Sequence, residues 1–306
     1  MVREQARRTA IVGSGAIAAV LAHHLTRAGE EVTFVVRDRA SANARPRDLV
    51  RLRYAPRRRR AVHQHLAVST VVPPATREVW LCVPADAASD PWLHELLRGL
   101  APSTRVVSWL PDPYVAERLG RHLPAGAVLD RGLFTALCYP DRGFAYWVPG
   151  LGAALERSPG GREIARRLRS GGLAARAIPV FDRLAVGLAT GTAVSVALLE
   201  VEDWDRDALR SRERRSLAVA AYSEITTGRG PGRFLLGAAL WALPRVNERW
   251  LPFDLDVYLR THFLKVGDQT RAQLGDLRRR ALARRTETRC LDRLTTGLTA
   301  AGVPRA

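Results

Sequence analysis

The hydrophobic positions of this 306-residue chain follow two different patterns. Up to about residue 177, short aliphatic and β-branched runs recur between turns marked by glycine or proline: residues 9–12, 31–36, 79–83, 105–110, and 127–129 leading into an aromatic-rich stretch, 132–148. Segments with a helical apolar period lie among them, at 17–25, 91–100, 114–122 and 161–170. Continuously apolar strands alternating with amphipathic helices predict a parallel sheet covered by helices on both faces. The strongly basic segment 45–60 reads as a polar connection. From Pro179 onward only long helical periods remain, with breaks at Pro244 and Pro252. The expected fold is an α/β Rossmann-type N-terminal domain with a parallel sheet over residues 1–177, followed by an all-α domain over 178–306.

The first unit carries the most specific signal. Residues 9–12 form a strand, Gly13, Ser14, Gly15, Ala16, Ile17 and Ala18 form a turn and the start of a helix, and residues 31–36 form the next strand. A G-x-G-x-x-A run between a strand and a helix, inside about 30 residues, is the dinucleotide-binding arrangement. Gly13 allows the tight turn, Gly15 lets a pyrophosphate approach the backbone, and Ala18 permits close helix-to-strand packing. The helix N-terminus, with unpaired N–H groups and a favourable dipole, faces the phosphates. Ser14, Ala16 and Ile17 complete the predicted cradle.

The end of the second strand reads the ribose. An acidic side chain there accepts from the 2′-hydroxyl of NAD, and an arginine accommodates the 2′-phosphate of NADP. This chain has Arg37 directly after the strand and Arg39 two residues on, with Asp38 between them as the competing signal. Arginine suits a bidentate grip on phosphate, so NADP(H) is the expected cofactor. Pro84, on the loop after residue 83, is expected to edge the same nucleotide.

Composition changes this picture less than its extremes suggest. The net charge is +18 and the pI about 11.3, which would suit a nucleic-acid partner. Yet 47 of the 48 cationic residues are arginine, asparagine occurs only at Asn43 and Asn247, and the basic residues are scattered apart from the runs 57–60 and 278–280. A coding bias towards arginine accounts for that, and no nucleic-acid partner is expected. Cys82, Cys138 and Cys290 are few, odd in number and far apart, which points to a reducing cytoplasm and neither a disulfide framework nor a metal site. Arg7-Arg8 before an apolar stretch imitates a secretion signal, but a strand followed by a helix explains the same residues. The longest weakly polar run, 184–199, has about 16 residues against the ~20 that span a bilayer, so no membrane association is expected.

The string IVGSGAIAAVLAHHLTRAGEEVTFVVRD, residues 11–38, resembles the opening of the ketopantoate reductase (2-dehydropantoate 2-reductase) family. Residues 181–199 are similar to that family's first long C-terminal helix. The segment YLRTHFLKVGDQT, residues 258–270, resembles a motif of longer members of the superfamily. Members reduce a 2-keto group with NADPH on an N-terminal Rossmann domain joined to a helical domain. The resemblance therefore implies this fold and NADP(H); the partners expected beside these are a small-molecule substrate and a second copy of the chain in a homodimer.

The catalytic positions implied by the resemblance are occupied by other residues. The family's strand-end asparagine corresponds to Ser108, Trp109, Leu110, Pro111 and Asp112, and its lysine and two asparagines fall on Arg183, Gly187 and Gly191. The loop at Pro84 and Ala85 also lacks a lysine that often adds to 2′-phosphate binding. Loss of one such donor costs about 3–4 kcal/mol of transition-state stabilisation, so ketopantoate is not the expected substrate. Arg183 suits a carboxylate but is a poor acid. Trp109, Tyr114, Phe134 and Tyr139 read either as an aromatic pocket edge or as core.

Lys265, the single lysine, is a candidate replacement, because an ammonium can give up a proton where a guanidinium cannot. Tyr258, His262, Lys265 and Gln269 share one helical stripe, bordered by Thr261 and Asp268. The stripe reads either as a solvated face or as a cleft wall carrying the proton donor. The expected catalytic set is thus Lys265, His262, Tyr258, Arg183 and Asp112. The function this implies is NADPH-dependent reduction of a keto or imine group in a specialised metabolite. A non-redox cyclisation or elimination, or nucleotide binding alone, on the same scaffold is the alternative.

Overall fold

The computed structural model describes residues 7–38, 40, 48–52, 60–63, 66–110, 112–140, 144–226, 231–246, 251–264 and 267–301. The chain divides into two compact units, Met1–Ala185 and Val186–Ala306. The division falls inside one long helix, a few residues beyond the change of pattern near residue 177.

In the first unit, β1 (Arg8–Val12) is followed by α1 (Ala16–Arg27) and β2 (Glu31–Val35), with β1 and β2 parallel and Val12 opposite Val35. On the other side of β1 lies β6 (Glu78–Leu81), then β7 (Arg105–Ser108) and β8 (Val128–Phe134), all parallel. β5 (Ala67–Ser69) closes the β2 edge. At the other edge β11 (Ala153–Glu156) runs antiparallel to β8 and pairs with β12 (Ala175–Ile178). The order is β12-β11-β8-β7-β6-β1-β2-β5, so the chain reverses its direction of travel across the sheet at β1. In open α/β sheets, ligands bind at the carboxyl ends of the strands beside such a reversal.

Both faces of the sheet are covered, which explains why the strands read as continuous apolar runs. Ile11, Trp80 and Val107 pack with Leu21 and Leu25 of α1 and with Ile164 and Leu168 of α4 (Pro159–Ser170). Ala10, Val12, Leu81 and Val106 pack on the opposite face with α2 (Pro91–Arg98) and α3 (Pro113–Gly120), through Leu93, Leu97, Val115 and Leu119. Each fully buried aliphatic side chain contributes about 1.5–3 kcal/mol.

The amino ends of the strands are tied by a buried ionic network. The Arg167 guanidinium of α4 donates to Glu30 at 2.7 Å twice and to Glu78 at 2.8 and 2.9 Å. The Thr9 hydroxyl donates to Glu30 at 2.7 Å, and Trp80 Nε1 donates to Glu78 at 3.1 Å. Charges this deep are tolerated because each carboxylate has partners.

Two features depart from the sequence expectation. The basic segment 45–60 is not merely a connection: it contributes β3 (Asp48–Arg51) and leads into β4 (Arg60–His63). These join β9 (Leu137–Pro140) and β10 (Phe144–Trp147) in a separate four-stranded sheet of order β4-β3-β10-β9, so the aromatic-rich stretch is divided between two sheets. The long apolar helix α5 spans Phe181–Val201, 21 residues, which overturns the argument that this run is too short to cross a membrane. Half of its most apolar window is buried within the protein.

Among the described residues, the second unit is helical. It holds the rest of α5, then α6 (Arg212–Thr226), α7 (Gly232–Ala242), α8 (Leu255–Leu264), α9 (Gly267–Ala283) and α10 (Arg289–Ala301). Its core holds Ala218, Ala221 and Ile225 of α6, Leu274 and Ala281 of α9, and Leu291, Leu294 and Leu298 of α10. The Glu224 carboxylate accepts from the backbone N–H groups of Cys290 and Leu291 at 2.9 Å each, capping α10 from α6.

Candidate functional site

The turn between β1 and α1 shows why two glycines stand there. Gly13 has φ +103°, a conformation that side chains disfavour, and its N–H donates to the Val35 carbonyl at 2.9 Å. A Cβ on Gly13 would lie 2.5 Å from the Cys82 carbonyl oxygen, so this glycine lets β1 and the loop after β6 come together. Gly15 is different: its backbone is extended, with φ −74° and ψ −177°, and a Cβ there would meet nothing within 4 Å. Its missing side chain leaves room on the outside of the turn, where a ligand backbone can approach.

Gly15 is the N-cap of α1 without a side-chain cap, and the first turn carries no acidic residue. The helix end therefore offers backbone donors and a positive dipole to an anion. Ser14 and Ala16 are half-buried, Ile17 is partly exposed and Ala18 is fully buried against the sheet. These features fit the pyrophosphate of a dinucleotide, with Gly13, Ser14, Gly15, Ala16 and Ile17 as its cradle.

The turn after β2, the expected ribose edge, contains a pair that sequence reading misses. Arg37, on the turn after β2, forms an ion pair with Asp90, and its guanidinium lies 6.0 Å from the centroid of the Trp92 ring. Asp90 is the N-cap of α2, where Oδ1 accepts from the Trp92 N–H at 2.9 Å while Oδ2 faces Arg37. The Asp-Pro step at the start of α2 signals the cap, but nothing local in the sequence reveals that the same carboxylate meets Arg37. Asp38 is exposed beside it, and Arg39 lies outside the described residues. Pro84 is exposed, and its carbonyl accepts from the Ala87 N–H at 3.2 Å in the turn leading to α2.

The expected catalytic residues do not gather at this point. Asp112 is 7% exposed and is the N-cap of α3, where Oδ1 accepts from the Tyr114 N–H at 2.9 Å. Trp109 is buried, with its ring 5.3 Å from that of Trp80, so it belongs to the core and not to a pocket edge. Tyr114 is exposed, Phe134 packs on the core, and nothing is described of the Tyr139 side chain. Arg183, in the first turn of α5, is exposed.

In the second unit Tyr258 is buried with its ring 5.3 Å from Phe253. Lys265 and the His262 side chain lie outside what is described. Gly187 and Gly191 of α5 face the Tyr222 side chain of α6: a Cβ on Gly187 would lie 3.3 Å from Tyr222 Oη and one on Gly191 3.9 Å from its ring. Here small residues serve helix packing, and burial raises the Tyr222 phenol above its ordinary range. Burial likewise pushes the Cys82 thiol up and the Cys138 thiol up to about 12, which disfavours the thiolate at both.

Residues 9–111 match the family model described as Ketopantoate reductase PanE/ApbA. No curated protein matches the chain. Among solved structures, a PanE/ApbA family ketopantoate reductase from Ralstonia eutropha JMP134 superposes with a TM-score of 0.75 at 15% identity, over 96% of this chain and 98% of the other. D-mandelate dehydrogenase, in a ternary structure with NADH and anilino(oxo)acetate, gives 0.73 at 13% identity over 96% and 97%. A probable 2-dehydropantoate 2-reductase from Bacillus subtilis gives 0.70 at 15% identity over 96% and 99%. The family match is thus confined to residues 9–111, while the chain as a whole shares its fold with solved ketopantoate reductases and with D-mandelate dehydrogenase.

Proposed function

We propose that the protein is an NAD(P)H-dependent oxidoreductase that reduces a keto or imine group of a specialised metabolite, with NADPH as the preferred donor. The observation that carries this reading is the β1–α1 turn. Gly13 is demanded by the fold itself, whereas the open space at Gly15 has no packing purpose and suits a pyrophosphate. The similarity to D-mandelate dehydrogenase with NADH, and to ketopantoate reductases, supports hydride chemistry on a carbonyl. When bound, the nicotinamide supplies the hydride. The chain's own part is to hold the phosphates at the α1 N-terminus, meet the adenosine ribose at Arg37, and deliver a proton, for which Lys265 is the candidate, with His262 and Tyr258 on its stripe.

Ketopantoate is not the proposed substrate. Gly187 and Gly191 are packing positions against Tyr222, and glycine has no side chain with which to donate to a bound keto acid. Fluorescence titration of the purified protein with NADPH and NADH tests the reading: binding of either at micromolar concentration is expected, followed by oxidation of the nicotinamide when a panel of keto acids and cyclic imines is supplied. Absence of binding by both nucleotides would end it. The same two glycines favour a second reading, a non-redox cyclisation or elimination on this scaffold. It predicts nucleotide binding with no change in nicotinamide absorbance while substrate is consumed.

A further inference from the structure

Resting on the nucleotide reading of the β1–α1 turn, we propose that Asp90 is a cofactor-specificity residue: its ion pair with Arg37 weakens selection for the 2′-phosphate and opens the site to NADH. Arg37 is the cation at the ribose edge, and its side chain is 59% exposed. Asp90 is only 18% exposed and held from two sides, with Oδ1 engaged by the Trp92 N–H and Oδ2 by Arg37. The carboxylate therefore cannot swing away when a ligand arrives. The Trp92 ring beside the guanidinium restricts Arg37 in turn.

The two cofactors meet this pair differently. A 2′-phosphate must share the Arg37 guanidinium with a fixed carboxylate, and the two anions repel at a common cation. The 2′-hydroxyl of NADH is neutral and can donate to Asp90 without disturbing the pair, the role an acidic side chain at the end of the second strand fills in NAD sites. In this chain the acceptor comes instead from the start of α2. Asp38, the residue after Arg37, is exposed.

Asp90→Asn tests the inference, because asparagine caps a helix about as well as aspartate and keeps the Trp92 contact while removing the charge. Dissociation constants for NADPH and NADH are measured by fluorescence titration for wild type, Asp90→Asn, Arg37→Ala and the double variant. Asp90→Asn should shift the affinity ratio towards NADPH by about fivefold or more, the scale of one half-exposed ion pair. The shift should vanish in the double variant, because Asp90 acts through Arg37. An unchanged ratio in Asp90→Asn with an unaltered melting temperature overturns the inference while leaving the nucleotide reading intact, and so does a shift that survives without Arg37. Failure of the wild type to bind either nucleotide removes the nucleotide reading and this inference with it.

Discussion

Replacing Arg167 by methionine removes the cation from the buried network under the sheet while keeping a flexible apolar stem of similar reach. The Arg167 side chain is 13% exposed, and its two partners, Glu30 and Glu78, are 5% and 3% exposed. Four hydrogen bonds of 2.7–2.9 Å disappear together. Glu78 keeps Arg7 at 3.1 Å and Arg105 at 3.3 Å, but Glu30 is left with the Thr9 hydroxyl. Most of the cost therefore falls on Glu30, an ionised group in the interior with one neutral donor. Breaking a buried pair from one side costs about 3–5 kcal/mol. At about 2–4 °C per kcal/mol for a unit of this size, the melting temperature should fall by roughly 10 °C. Circular dichroism melts and urea titrations measure the loss. The double variant Arg167→Met with Glu30→Gln should recover at least about 1 kcal/mol of it, because the stranded charge is gone. A loss below about 1 kcal/mol, or a double variant no more stable than the single one, would refute the reasoning.

The remaining expectations concern the two glycines, a buried histidine and the single lysine. Gly13→Ala should destabilise by at least about 2 kcal/mol through positive-φ strain and the clash with the Cys82 carbonyl, whereas Gly15→Ala should cost less than about 1 kcal/mol yet weaken NADPH binding; parallel melts and titrations separate the two effects. His24 is fully buried, with Nδ1–H donating to the Gly171 carbonyl at 2.8 Å and Nε2 accepting from Tyr146 Oη at 3.1 Å. Burial, aided by His23, Arg51 and Arg27, lowers it from 6.5 to about 4. The unfolded chain then takes up this proton first, so stability is full above pH 6.5 and falls by up to about 3 kcal/mol as pH drops to 4. His24→Asn should show a flatter stability profile over that window, and equal slopes would count against the assignment. Lys265→Arg should fold normally but turn over at least about tenfold more slowly if Lys265 is the proton donor, and wild-type turnover would return it to a surface role.

The strand–turn–helix–strand unit is legible from residue order because it is local: Gly13, Gly15 and Ala18 act within one turn, and the apolar period of α1 follows at once. The change from alternating strands and helices to helices alone is equally visible, since periodicity reports which faces are buried. Segment 45–60 reads wrongly as a bare connection because β3 lies beside β10, nearly a hundred residues on, and arginines at the edge of a strand carry no signal of that pairing. The 21-residue span of α5 exceeds the apolar run 184–199 because the helix continues beyond that run at both ends, from Phe181 to Val201, with Gly187 and Gly191 packed inside it against Tyr222. Trp109 suggests a pocket edge by its position after β7, yet the neighbouring Trp80 holds it in the core.

The amino-acid order alone determines the glycine turn between β1 and α1, the class of fold and the presence of a cation after β2, because each rests on contacts within one turn or one repeat of hydrophobic spacing. Only the tertiary structure decides what that cation faces. Arg37 and Asp90 are brought together by the parallel pairing of β1 with β2 on one side and β6 on the other, which sets the loop after β2 beside the approach to α2. The same holds for Arg167 with Glu30 and Glu78 and for His24 with Tyr146 and Gly171. Charge and burial at such points depend on partners far away in sequence, and no local pattern records them.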